Sequence, residues 1–348
     1  MPRPPDALRY AALAALLAWS CNTGAAEPAA APYPNTDGFG IAFEQSEEWY
    51  RHCMRALRPE PARAPARRAR MRCDASELYY RKRDQNHATP AEWRQVRSCA
   101  EASGDDAVLM MLHANGYGTA RDPEQALYYA CKLDTAKAEM EGRVGYLASP
   151  AAASDAVPFD LCDHVTSERM VAMCAGIQED RAARVRDLRL ARFAAGLPPA
   201  ARRPFARLRE AATAFNRSSA GDVDSRGGAG AGLSIRHAGR RDNEFMETLL
   251  AAANGQLPRA NAAQLAEIDR ELKWEYRKAM AAPSGQEQHR QRSGAAPAAR
   301  AHMRKVERAW IAYRDAWGPF LAAANLRTDL ASVKAALTRQ HIAHVKRM

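Results

Sequence analysis

Between Met303 and Phe320, five large side chains (Met303, Val306, Trp310, Tyr313 and Trp317) recur at steps of three and four residues. That period places all five on one side of an α-helix. A stripe of this size needs an apolar partner, so the stretch predicts a core helix of an all-α domain. Glu307, Arg308, Arg314 and Asp315 fall on its other faces, and Gly318-Pro319 reads as its stop signal.

The rest of the chain is consistent with helices. Alanine is abundant, hydrophobic residues make up 47% of the 348, and runs of alternating polarity are scarce. This is enough apolar material for a packed core.

Residues 1–26 have the form of an export signal. Arg3 and Arg9 precede the apolar run Tyr10–Trp19, which is too short to span a bilayer, and Gly24-Ala25-Ala26 offers a cleavage site. Cys21 leaves a lipoprotein anchor open as the alternative. No later segment has the apolar length of a membrane span. The periplasm is therefore the expected location.

Six cysteines follow the signal: Cys53, Cys73, Cys99, Cys131, Cys162 and Cys174. An even count in an exported chain implies up to three disulfides, and sequence proximity favours Cys53–Cys73, Cys99–Cys131 and Cys162–Cys174. All six precede residue 175, so the C-terminal half must stand on packing alone. Charge is uneven as well. Residues 27–150 carry 17 Lys or Arg against 18 Asp or Glu (−1), residues 151–261 carry 16 against 13 (+3), and residues 262–348 carry 16 against 8 (+8). Anionic partners would be steered to the C-terminal end. The basic run ending at Arg72 reads as a solvated loop, and an exported protein has little occasion to bind nucleic acid.

Five segments are expected: the signal, a flexible Ala/Pro-rich leader at 27–44, a disulfide-stapled helical region at 45–150, a helical connector at 151–260 and a C-terminal helical domain at 261–348. Within the second helical part, Gly221 to Arg241 reads as a flexible Gly/Arg-rich loop. Helix starts are marked at Ser46, at Thr89-Pro90-Ala91-Glu92 and near Thr166 or Ser167. From the last of these, a long helix carries Met170, Cys174, Ile177, Val185, Leu188 and Phe193 on one side, with Pro198-Pro199 ending it.

Tests for chemistry return little. There is no C-x-x-C, H-E-x-x-H, P-loop or G-x-S-x-G, and Gly232-Leu233-Ser234-Ile235-Arg236 fails the last of these at its final position. His341 and His344 lack a third ligand in sequence and read as two surface histidines. Neither a cofactor nor an enzymatic role is expected.

Two resemblances add to this reading. Residues 105–132 resemble one tetratricopeptide-type repeat of the SEL-like class, with Leu109, Leu112 and His113 in its first helix, Gly116 and Gly118 at the turn, and Asp122-Pro123 opening the second helix. Residues 262–320 resemble the N-terminal domain of the LprI-type lysozyme inhibitors. In the first helical pattern Asp269, Leu272 and Tyr276 match, while Lys273 replaces an asparagine. In the second, Arg308, Trp310, Tyr313, Arg314 and Asp315 match, Glu307 stands for glutamine and Trp317 for cysteine.

Ile268, Leu272, Tyr276 and Ala279 form a second stripe that can face the aromatic one, which predicts an antiparallel helical hairpin. The LprI resemblance implies binding to lysozyme or another cell-wall lytic enzyme. Glu307, Arg308, Arg314 and Asp315 are the candidate binding residues, with Arg314 and Asp315 expected to pair with the partner helix and exposure for recognition as the alternative. A basic C-terminal domain also allows a non-enzymatic envelope scaffold that contacts anionic cell-wall polymer while the repeat region binds protein.

Overall fold

The computed structural model describes residues 35–36, 38–57, 73–153, 157–222, 229–281 and 296–347. Within these, twelve α-helices and two short 3-10 turns are present and no strand occurs, so the chain is all-α. The helices are α1 Glu48–Ala56, α2 Ala75–Arg83, α3 Pro90–Ser103, α4 Asp106–Asn115, α5 Pro123–Cys131 and α6 Lys137–Ala148. They continue with α7 Glu168–Ala195, α8 Pro199–Ser219, α9 Gly230–Asn254, α10 Ala262–Ala281, α11 Ala296–Ala324 and α12 Leu330–Val345. The signal, the basic run ending at Arg72 and Cys21 lie outside the described residues.

Local signals account for most boundaries. Thr89 and Glu92 form the reciprocal capping box at the start of α3, with Pro90 in the first turn. Asp122 caps α5 and Ser167 caps α7, while the cap of α1 falls on Glu47 rather than Ser46. Between α4 and α5, Gly116 and Gly118 take positive φ, 70° and 68°. A side chain on Gly118 would also meet Trp93 Cβ at 2.5 Å, so glycine serves both turn and close approach there.

Two hydrophobic cores form. The first gathers α1 to α6 and the start of α7 around Tyr79, Met110, Leu112, Met140 and Leu147. Its three disulfides join Cys53 to Cys131, Cys73 to Cys99, and Cys162 to Cys174. Only the last agrees with the proximity order. The other two follow the packing: α1 lies against α5 and α2 against α3, which brings the partner Cα atoms to 5.8 and 6.0 Å. The end of the expected flexible leader is also fixed, since Phe39 and Phe43 pack edge-on against Trp49.

The second core joins the end of α7 to α8 through α12 around Leu208, Leu249, Trp317, Phe320 and Leu337. The two cores meet along α7, whose buried residues shift from Met170 and Cys174 to Arg186 and Leu190. Val185 and Leu188, expected on the buried side, are exposed. A 28-residue helix serving two cores need not keep one buried face.

The expected loop at 221–241 is corrected from Gly230 onward, where α9 begins. Its glycines allow close helix packing: a Cβ on Gly232 would meet Val171 at 3.3 Å, and one on Gly239 would collide with Glu179 of α7. The stop expected at Gly318-Pro319 is corrected too. α11 runs through it to Ala324 and ends where Asn325 takes φ 50°. Trp317, Phe320, Leu321 and Ala324 are buried on both sides of the proline, and this packing outweighs the lost backbone bond.

Candidate functional site

The resemblance-bearing residues gather where α10, α11 and α12 meet, but the packing differs from the expected hairpin. α11 lies along α8 and α10 lies along α12. The aromatic stripe therefore meets α8 and α9: Phe215 stacks on Tyr313 at 5.8 Å, Phe205 approaches Phe320, and Phe245 meets Tyr313 and Trp317. Ile268 and Leu272 enter the same core from α10. Each helix has an apolar stripe, but sequence alone does not say which stripe covers which.

Polar groups tie α10 to α11. Arg314 Nη1 donates to Asp269 Oδ1 at 2.8 Å, and its guanidinium lies over the Trp310 ring, 4.7 Å from the centroid. Thr338 of α12 sits beside both, 3.4 Å from each polar partner. Half-buried, charge-assisted and ring-stacked, this arginine is held in one place and makes a structural clamp. Asp315 pairs with Lys334 at 3.0 Å on the surface.

Glu307 takes the other side of the stripe, 2.8 Å from His341 Nε2, while the His341 ring stacks on Trp310 at 4.2 Å. Burial holds His341 below its ordinary pKa even with Glu307 beside it. His341 and His344 are only 2% and 3% exposed, which corrects the expectation of surface histidines. The missed signal was in the sequence: Val333, Leu337, His341 and His344 continue one helical stripe at steps of four, four and three. His344 Nε2 approaches the buried carboxylate of Asp222, and His302 Nε2 bonds to its other oxygen at 2.7 Å. Although burial acts to raise it, these histidines hold the Asp222 pKa below the ordinary range.

Of the four candidate binding residues, Arg314 and Glu307 are thus engaged internally, Asp315 is paired at the surface and Arg308 is exposed. Arg304, Lys305 and Arg308 are exposed on the outer face of α11 and form no ion pair among the described residues. Tyr276 lies half-buried near them, with burial raising its hydroxyl pKa and the charges of Arg304 and Arg308 opposing the rise. On α10, Trp274 is 54% exposed with Lys278 Nζ 5.0 Å from its ring. The seam offers cations and aromatic surface. No His, Cys, Asp and Glu among the described residues converge in a group able to hold a metal, and no helix there is long and apolar enough to cross a membrane.

Fold and seam describe an all-α protein whose C-terminal helices carry exposed cations and an exposed indole. Over these helices, a family model described as "Lysozyme inhibitor LprI" matches residues 251–344, a little over a quarter of the chain. The match begins at the end of α9 and runs through α12, beyond the 262–320 of the sequence resemblance, and it does not extend to the α4–α5 pair likened to a SEL-like repeat. Members of that family are described as inhibitors, and no enzymatic role follows from it. No curated protein and no solved structure matches the chain.

Proposed function

We propose that this is an exported, periplasmic binding protein whose segment 251–344 engages and inhibits a cell-wall lytic enzyme such as lysozyme. The family match over that segment carries the reading. The stripe that identifies the segment is buried, so recognition falls to the outer face with Arg304, Lys305, Arg308 and Trp274. Because residues 262–348 carry 16 basic against 8 acidic residues, the favoured target is a lytic enzyme with acidic surface, whereas a basic lysozyme would be repelled at long range. The helix pair α4–α5, read as a SEL-like repeat, would serve as a second protein-binding element.

The test is a turbidity assay of cell-wall lysis with the full mature chain, since α8 and α9 share the core of the C-terminal helices. Dose-dependent inhibition that Arg304→Glu/Arg308→Glu weakens at least tenfold is the expected result. The exposed cations of α11 favour a second reading, a scaffold contacting anionic cell-wall polymer. Salt-sensitive pelleting with peptidoglycan, without any effect on lysis by acidic or basic enzymes, would establish that reading and overturn the first.

A further inference from the structure

A cavity of about 420 Å³ opens between α9 and the end of α12. It is lined by Asp222, His237, Arg240, Arg241, Glu244, His344 and Arg347, all but two of them basic or capable of carrying a positive charge. Both carboxylates are already engaged: Asp222 accepts from His302, and Glu244 accepts from Arg241 Nη1 at 3.0 Å. The cations exceed what these two groups can balance.

The floor of the cavity carries the most telling group. Arg241 is 7% exposed, yet its Nη2 makes no hydrogen bond among the described residues, and neither does the buried Nε2 of His237. Both atoms are shut off from solvent, and the Arg241 guanidinium lies over the Phe215 ring, 5.2 Å from its centroid, so this arginine adds positive field beneath the cavity and no open donor. At the mouth, Arg240 and Arg347 are exposed and form no ion pair among the described residues. Burial holds the His237 pKa low, and the charge of Arg241 adds to that effect while Asp222 opposes it. Each rim arginine offers a planar fork of donors that suits an oxyanion, a geometry that lysine cannot copy.

We infer that this cavity is a binding site for a small ligand bearing a carboxylate or phosphate group, held by Arg240 and Arg347 in the positive field of the buried Arg241. The site lies apart from the α11 outer face and stands whether or not the chain inhibits a lytic enzyme. The cavity has room for an organic anion as well as for inorganic phosphate.

Isothermal titration of the mature chain with inorganic phosphate and with citrate, at ionic strength fixed with chloride, tests the site. Saturable one-to-one binding of either anion is expected, with phosphate alone or citrate alone naming the preferred group. Arg240→Gln/Arg347→Gln alters only exposed side chains and should weaken binding at least tenfold with the thermal midpoint unchanged. Arg304→Gln/Arg308→Gln removes the same charge from α11 and should leave binding intact. Absence of saturable binding by both anions, or equal weakening in the two double variants, would overturn the inference.

Discussion

Replacing Trp317 by alanine separates the two cores energetically. The indole is fully buried and touches the rings of Phe245, Tyr313 and Phe320. Truncating a buried tryptophan costs about 3–5 kcal/mol, from lost transfer energy and from the cavity left behind. A domain's whole stability is typically about 5–15 kcal/mol, and the second core has no disulfide to restrain its unfolded state. At a urea slope of about 2 kcal/mol per molar, a loss of about 4 kcal/mol moves the midpoint down by about 2 M.

Urea unfolding followed by circular dichroism and tryptophan fluorescence reads the effect. Trp49 and Trp93 report the first core and Trp310 the second. The second transition should fall while the first stays in place, and Trp317→Phe should shift it less. A midpoint change below about 0.5 M would refute the burial argument. Equal displacement of both transitions would refute the independence of the cores.

Two further predictions concern α6 in the first core. Arg143 is buried and its three guanidinium nitrogens find no hydrogen-bond partner among the described residues, so burial lowers its pKa while Glu139 attracts it only through space. Arg143→Met should therefore raise the first core's stability by about 1–3 kcal/mol, measured as a higher urea midpoint; a lower midpoint would mean the charge has a use the packing does not reveal. Glu139 is buried, which by itself would raise its pKa, but bonds from Thr135 Oγ1 and the Ser167 and Thr166 N–H groups bring it down to about 2. A depressed carboxylate contributes stability that is present above its unfolded value, about 4.3, and lost as pH falls toward 2. The first core's midpoint should drop through that window, and Glu139→Gln should flatten the drop at the expense of stability at neutral pH.

Local chemistry was legible from the sequence by itself. The all-α class, the capping box at Thr89, the caps at Asp122 and Ser167, the positive-φ glycines and the stripe from Val306 to Trp317 all rest on interactions within one or two helical turns. Such signals act over a few residues, so they survive translation into any fold.

Pairings between elements were decided by tertiary structure. The aromatic stripe packs on α8 and α9 with α10 set along α12, Cys53 reaches across to Cys131, and Gly232 and Gly239 let α9 approach α7. Pro319 stays inside a helix because its neighbours are buried, and His341 and His344 become core residues with carboxylate partners. An apolar stripe states that it must be covered but not by which other stripe, because the hydrophobic effect is non-directional. Which stripe covers which is settled by the simultaneous packing of all twelve described helices.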